Sequence, residues 1–271
     1  MIALSIAGSD SGGGAGIQAD VKTFQELGVF GTTAITSLTA QNTLGVHGIS
    51  EVAPAFLKLQ LDAVLSDFNV QAVKTGMLFS AELIEIVADV MKGQNIPLIV
   101  DPVMVAKGGA SLLQEEAVMA LKTKLLPLTT ICTPNIPEAE TLTGMSICNA
   151  KDIELAAKKL LAMGVQYVVM KGGHLAGEFA ADTVYWNGGF FTMMTPRVQT
   201  KDTHGTGCTF SAAITAGLAK GLTIEEAIIE AKKFIHLAIS IPLSIGNGHG
   251  PTNHFAYKRA NGHCEVIVHE S

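Results

Sequence analysis

Apolar residues along this chain gather into short continuous runs separated by longer helix-like stretches. The short runs predict strands at Ile2–Ala7, Thr33–Thr39, Gln71–Thr75, Leu98–Val100, Thr130–Thr133, Tyr167–Lys171 and Thr183–Trp186. The longer stretches predict helices over Ala15–Leu27, Pro54–Ser66, Ala81–Lys92, Leu113–Leu125, Pro137–Leu142, Asp152–Met163, Thr206–Leu222 and Ile224–Ser240. Strands that read as unbroken apolar runs, not as alternating ones, belong to sheets with both faces covered. Their alternation with helices predicts right-handed βαβ units. The expected fold is therefore α/β, a doubly wound, mostly parallel sheet flanked by helices on both faces. Asn187-Gly188-Gly189 between Tyr185-Trp186 and Phe190-Phe191 adds a small β-hairpin. No linker, charge block or repeat divides the chain, so residues 1–271 are expected to form a single domain.

Ligands of such sheets bind beyond the carboxyl ends of the strands. Six predicted strand ends deliver polar or glycine residues to that rim. They are Gly8-Ser9-Asp10, Gln41-Asn42, Lys74-Thr75-Gly76-Met77, Asp101-Pro102, Thr133-Pro134-Asn135 and Lys171-Gly172-Gly173. This convergence points to an active site on residue chemistry alone.

Composition narrows the partners. Hydrophobic residues make up 48% of the chain and charged residues 15%, enough for a sizeable core and too apolar for disorder. A net charge of −6 argues against nucleic acid or an anionic membrane as the main partner, though not against a nucleotide. The start Met1–Gly8 lacks the basic opening of a signal peptide, and no apolar run approaches the length of a membrane span. A cytoplasmic protein is expected. The four cysteines, Cys132, Cys148, Cys208 and Cys264, are too widely spaced for a zinc cluster and read as thiols. The histidines show no metal-binding spacing, so no catalytic zinc is expected.

The densest chemistry lies in Thr203-His204-Gly205-Thr206-Gly207-Cys208-Thr209-Phe210, a glycine hinge running into an apolar helix. The hinge and the unpaired first-turn amides form a socket for a negative oxygen, reinforced by the helix dipole. Cys208 stands at its mouth, and a helix N-terminus lowers a thiol's pKa, so a basic or nucleophilic thiolate is one reading. A small packing cysteine is the other. Gly8–Gly16 is not a P-loop, because no Gly-Lys-Ser/Thr follows. Gly14-Ala15-Gly16-Ile17-Gln18-Ala19 matches a loose dinucleotide pattern, but the strand is expected to end near Gly8, too early for that tight turn. Asp20 reads as a ligand contact or as a solvated first-turn acid. Asp101, ending a strand, suits Mg²⁺ or a metal-bound phosphate, against a simple strand-end cap. Asn135 and Glu138 have the spacing of a helix cap and could also face the rim. Lys171 ends a strand before two glycines and suits a nucleotide phosphate.

These segments resemble the ribokinase-like superfamily, specifically the hydroxymethylpyrimidine/phosphomethylpyrimidine kinases of thiamine biosynthesis. The matching stretches are Ala7–Asp20, Ala40–Thr43, Lys74–Leu78, Asp101–Met104, Thr133–Ala139, Met170–His174, Thr203–Thr209 and Gly248–Pro251, in order along nearly the whole chain. The stretch from about Tyr257 departs from the pattern. The resemblance implies ATP- and Mg²⁺-dependent phosphorylation of 4-amino-5-hydroxymethyl-2-methylpyrimidine, then of its monophosphate, to the pyrophosphate. It implies that Gly8, Asp20, Gln41 and Met77 line the pyrimidine pocket. Asn135, Lys171, Thr206 and Lys233 would serve ATP, with Asp101 and Glu138 toward Mg²⁺. Gly205, Thr206, Gly207 and Cys208 would form the catalytic anion hole, and relatives of this kind are commonly homodimers. Many sugar kinases of the superfamily carry an aspartate base where Cys208 stands, which makes the base role of Cys208 a hypothesis. The alternative is a pyridoxine or pyridoxal kinase of the same superfamily. Some of those carry a cysteine in the lid segment where this chain reads Met104-Val105-Ala106-Lys107-Gly108.

Overall fold

The computed structural model of the protein describes residues 1–104, 115–172 and 177–270. Among them, ten strands form one sheet: β1 (Ile2–Asp10), β2 (Phe30–Asn42), β3 (Gly45–Glu51), β4 (Ala72–Thr75), β5 (Leu98–Val100), β6 (Ile131–Cys132), β7 (Tyr167–Lys171), β8 (Phe179–Trp186), β9 (Gly189–Pro196) and β10 (Ile267–Glu270). Their spatial order is β10-β9-β8-β7-β6-β5-β4-β1-β2-β3. The central strands from β2 to β7 pair in parallel, and β3, β8, β9 and β10 add antiparallel edges.

Each central strand feeds two cores, which is why it reads as an unbroken apolar run. Leu4, Ile6, Val73, Leu98, Val100, Val168 and Met170 face one side. There they meet Leu57 and Leu61 of α2 (Pro54–Asp67), Leu83 and Val87 of α3 (Ala81–Met91) and Leu160 of α6 (Ala150–Ala162). Between them lie α4 (Glu115–Ala120) and α5 (Ile136–Thr143) in chain order. Ile99, Ile131 and Val169 face the other side, against Phe210 and Ile214 of α7 (Thr206–Ala219) and Phe234 of α8 (Ile224–Ser240). Also on that side, Ala3 and Ala72 meet Phe24 of α1 (Gly16–Glu26) and Ala212 and Ala216 of α7. Alanine against alanine lets α7 approach the sheet closely beside β1 and β4. The strand order reverses there, which is where ligands of open α/β sheets bind.

The observed elements extend several predicted ones. β1 runs on to Asp10, with a register shift between Ala7 and Ser9, so the expected end near Gly8 was too early. The two-residue turn Asn187-Gly188 joins strands of eight residues each, longer than the hairpin expected. The helix expected over Leu113–Leu125 is α4 followed by a π-helical turn, Leu121–Leu125, and its first residues lie outside the described ones. β3, β10 and the short α9 (Ala256–Arg259) were not expected. No helix among the described residues is long and apolar enough to cross a membrane.

Candidate active site

The start of α7 stands at the carboxyl rim of the sheet. Gly205 is its N-cap with φ +81°, and no side chain caps the helix. The Thr206 N–H donates to the Thr203 carbonyl at 3.3 Å, and the first-turn amides that follow it, of Gly207 and Cys208, lack intrahelical acceptors and are available to an anion. Thr206 Oγ1 donates to the carbonyl of Thr203 at 2.7 Å, tying the hinge to the helix. A side chain on Gly207 would begin 3.4 Å from Asp101 Oδ2 and 3.5 Å from Lys171 Nζ. The amide socket and the charged cluster thus share one space.

That cluster is assembled from three strand ends. Asp101 follows β5, is 2% exposed, and its Oδ1 lies 3.1 Å from Lys171 Nζ at the end of β7. Thr133 Oγ1, beyond β6, lies 3.3 Å from the same oxygen, and Ser211 Oγ of α7 lies 3.4 Å from Oδ2. Glu138 Oε2 stands 3.9 Å from Lys171 Nζ. Glu138 is also half of a capping box: Asn135 Oδ1 accepts its N–H at 2.9 Å, and its Oε2 accepts the Asn135 N–H at 2.8 Å. Both readings of this pair hold together, since the cap is what aims Glu138 at Lys171. Burial pushes the Glu138 carboxyl up to about 7, aided by the Asp101 charge and opposed by Lys171. Burial alone would depress Lys171, but Asp101 and Glu138 outweigh it and hold the ammonium protonated. Two carboxylates suit a hard divalent cation, and as the two acidic side chains of this cluster among the described residues they suit one carried on phosphate. Among the described residues no three His, Cys, Asp or Glu side chains converge as a metal cage.

Opposite this cluster, a β-carbon on Gly8 would stand 2.6 Å from Met77 Cε and 2.8 Å from Ser37 Oγ. Gly8 and Met77, predicted for one pocket, are neighbours. Gln41 reaches His204, with 3.2 Å between its Nε2 and His204 Nε2. His204 Nε2 in turn lies 2.9 Å from Asp10 Oδ2. Asp10 also accepts the amides of Gly12, Gly14 and Ala15, so one carboxylate shapes the glycine loop and docks it on the α7 hinge. Burial raises the Asp10 pKa, but His204 and these amides outweigh it and leave it below its usual value. Asp10 and His204 were read only as parts of motifs; 194 residues separate them in sequence.

Two expectations need correction. Asp20 neither lines a pocket nor meets solvent: it is wholly buried, with Oδ1 2.7 Å from Lys74 Nζ and Oδ2 accepting from Ser5 at 2.5 Å. A carboxylate one turn into α1 points down onto the sheet, where Lys74 of β4 rises to meet it. The Cys208 thiol is not acidified by its helix position alone. Burial raises it to about 11, against the opposing influence of Lys74 and of the Gly16 N–H, while Asp20 and Asp101 add to the rise. The dipole argument read the helix end and not the desolvation.

Lys233 lies on α8 with Nζ 2.6 Å from Glu230 Oε1. Its neighbour Lys232 is the buried one, bound to Asp182 Oδ2 at 2.6 Å and to the Ala180 carbonyl at 2.9 Å. Asp182 Oδ1 also accepts the Gly172 amide at 2.9 Å, so this ion pair braces the strand end that carries Lys171. Gly173, His174 and the lid residues Val105 to Gly108 lie outside the described residues. All four cysteines are free: Cys132 is buried, Cys148 exposed, Cys208 and Cys264 half-buried.

An anion socket at a helix start, facing a carboxylate–lysine cluster at the switch point of a doubly wound sheet, defines a ribokinase-like phosphotransferase. The family described as phosphomethylpyrimidine kinase matches residues 10–253, and the chain belongs to it. A hydroxymethylpyrimidine/phosphomethylpyrimidine kinase of Bacillus subtilis is 55% identical over 259 residues, covering 95% of this chain and 96% of that one. The thiamine biosynthesis bifunctional protein ThiED of Geobacter sulfurreducens is 51% identical over 252 residues, 93% of this chain and 51% of that longer one. Among solved structures, the pyridoxal kinase of Staphylococcus aureus in complex with AMP-PCP and pyridoxal superposes with a TM-score of 0.90 at 36% identity, covering 100% of this chain and 99% of that one.

Proposed function

We propose that the protein phosphorylates 4-amino-5-hydroxymethyl-2-methylpyrimidine and then its monophosphate, using Mg-ATP, to yield the pyrophosphate for thiamine biosynthesis. The observation that carries this is the placing of Gly205–Cys208 directly against Asp101 and Lys171. Phosphoryl transfer depends on positioning and on neutralising charge around the moving group, which amides, a cation and a bound metal supply together. Identity to curated pyrimidine kinases over most of the chain supports the substrate class.

In this reading Gly8, Met77 and Gln41 hold the ring, Gln41 presenting its amide to the hydrogen-bonding edge. The backbone of Gly205–Cys208 cradles the transferred group. Asn135, Lys171, Thr206 and Lys233 serve the nucleotide, and Asp101 and Glu138 are the oxygens toward Mg²⁺. Asp101 and Glu138 would hold Mg²⁺ on the nucleotide, where it would supply charge neutralisation at the phosphates. Cys208 sulfur, as thiolate, takes the proton of the substrate hydroxyl. The hydroxyl oxygen then bonds to phosphorus as the bridging bond breaks toward ADP. The expected assembly is a homodimer, and exposed Leu38, Leu44 and Ile49 on the β2–β3 edge are consistent with apolar contact between copies.

Pyridoxal kinase activity is the second reading, favoured by the likeness to the Staphylococcus aureus pyridoxal kinase fold. Initial rates with Mg-ATP on the pyrimidine alcohol, its monophosphate and pyridoxine decide between them. The pyrimidine reading requires the highest kcat/KM on the alcohol and turnover of the monophosphate. Faster turnover of pyridoxine than of either pyrimidine would reverse the assignment.

A further inference from the structure

The Lys74–Asp20 ion pair has no part in the chemistry so far described. Both side chains are wholly inaccessible, and with Ser5 they form a polar island on the face otherwise built from Ala3, Ala72, Ala212 and Ala216. A buried ion pair is a poor way to stabilise a fold, since well-packed apolar residues do as well or better. Its place is more informative. Asp20 comes from α1, Lys74 from β4 and Cys208 from the first turn of α7, three elements packed on one another. Lys74 Nζ lies 3.5 Å from where a side chain on Gly76 would begin, at the strand end beneath the site.

We propose that Lys74, held in place by Asp20, is the counter-cation of the Cys208 thiolate, making both positioning residues for the base. The proposal rests on reading Cys208 as that base. Phe24 of α1, Ala72 of β4 and Ala212 of α7 share one core cluster. Asp20 lies one turn before Phe24, Lys74 two residues after Ala72 and Cys208 one turn before Ala212, which sets carboxylate, ammonium and thiol together in the next layer toward the rim. Asp101 after β5 and Lys171 at the end of β7 are the other charged groups that act on the sulfur. Of the two cations, Lys171 is engaged by Asp101 and Glu138, whereas Lys74 has Asp20 as its one ion-pair partner among the described residues. Burial disfavours the Lys74 charge, but Asp20, then Cys208 and Asp101, restore it, and we read the pair as ammonium and carboxylate. When Cys208 loses its proton, the new negative charge lies beside an ammonium already fixed and dry. Lys74 keeps its own proton throughout.

The two partners have opposite signs at the sulfur, which gives a test that a merely structural pair would fail. Iodoacetamide modification of the full-length protein is followed against pH, with the Cys208 peptide resolved by mass spectrometry. Lys74→Met is expected to raise the thiol pKa by one unit or more and slow modification at pH 8 about tenfold. Asp20→Asn is expected to lower the pKa and speed modification, and the acid limb of kcat/KM is expected to move the same way in each variant. Should Lys74→Met fail to fold, Asp20→Asn is compared with Asp20→Asn/Lys74→Met. Removing the lysine from the asparagine background must then slow modification by about tenfold or more. Titrations that stay put, or that move in one direction for both substitutions, overturn the proposal. Near-wild-type turnover in Cys208→Ala would instead remove the base reading while leaving the measured coupling intact.

Discussion

A β-carbon on Gly205 would stand 1.8 Å from the carbonyl oxygen of Gly14. The two glycine loops, one from β1–α1 and one opening α7, are in backbone contact, and Gly205 also has φ +81°. Gly205→Ala therefore combines left-handed strain with a collision that only backbone movement relieves. It should cost about 2–4 kcal/mol in urea unfolding and reduce kcat/KM about 100-fold or more, since the amide socket moves with the hinge. An alanine variant with wild-type kinetics would mean that the socket tolerates displacement and is not where phosphate sits.

Lys171→Met leaves Asp101 and Glu138 facing each other's charge with no cation between them. A fall in kcat of about 100-fold is expected, with a smaller change in the KM for the pyrimidine alcohol, whose proposed pocket at Gly8, Gln41 and Met77 draws on other strand ends. Steady-state kinetics with each substrate varied in turn separate the two parameters. A pure rise in pyrimidine KM would place Lys171 on the wrong substrate.

Glu138 carries a stability cost tied to its placement. Its carboxyl is raised from 4.5 to about 7, so the ligand-free native state binds that proton more tightly than the unfolded chain does. Stability should therefore fall as pH rises from about 4.5 to about 7. Glu138→Gln keeps the acceptor that caps Asn135 and removes the ionisation. It is expected to be more stable than wild type at pH 8 by about 1–3 kcal/mol and much slower as a kinase. Urea midpoints at pH 5 and pH 8 measure the difference, and an equal or lower midpoint for the variant at pH 8 counts against it.

His254 has the opposite slope. Burial, assisted by the Lys22 charge, lowers it from 6.5 to about 4, with Thr209 Oγ1 3.0 Å from its Nε2. The native state holds this imidazole neutral, so stability is lost as pH falls from 6.5 toward about 4. His254→Gln should lessen that acid-side loss by about 1–3 kcal/mol. Between roughly pH 5 and 6.5 the His254 and Glu138 slopes oppose each other, so this variant should expose the Glu138 slope alone. Unchanged pH dependence in His254→Gln would show that the fold leaves the imidazole pKa where the unfolded chain has it.

Much of this site was legible because its residues fall at strand ends, and strand ends follow from where apolar runs stop. Asp101, Asn135, Glu138 and Lys171 are brought together as that logic expects, and Gly205–Cys208 join them as the helix start read from its glycine hinge. Pairings across long separations were not legible. Nothing near Asp20 in sequence announces Lys74, and a first-turn acid on a helix reads as solvated until the helix's buried face is known. The same holds for Asp10 with His204 and for Asp182 with Lys232. β3 escaped notice because five of its seven residues are exposed and none is buried, leaving no apolar alternation to read. The Cys208 thiol was misjudged for a related reason: a helix start is visible in sequence, whereas the depth at which it is set is not.

The contact of Lys232 with Asp182, and of Asp182 with the Gly172 amide, sets a lower bound on how small a working enzyme of this kind can be. Lys171 on β7 is steadied from β8 and, through it, from a helix more than fifty residues downstream. A fragment ending after α7 would keep every residue of the proposed site up to Cys208 and lose Lys232, the cation that holds the buttress. Trimming or grafting within the β8–β9 hairpin should thus be felt as lost catalysis, though the proposed site takes no residue from the hairpin.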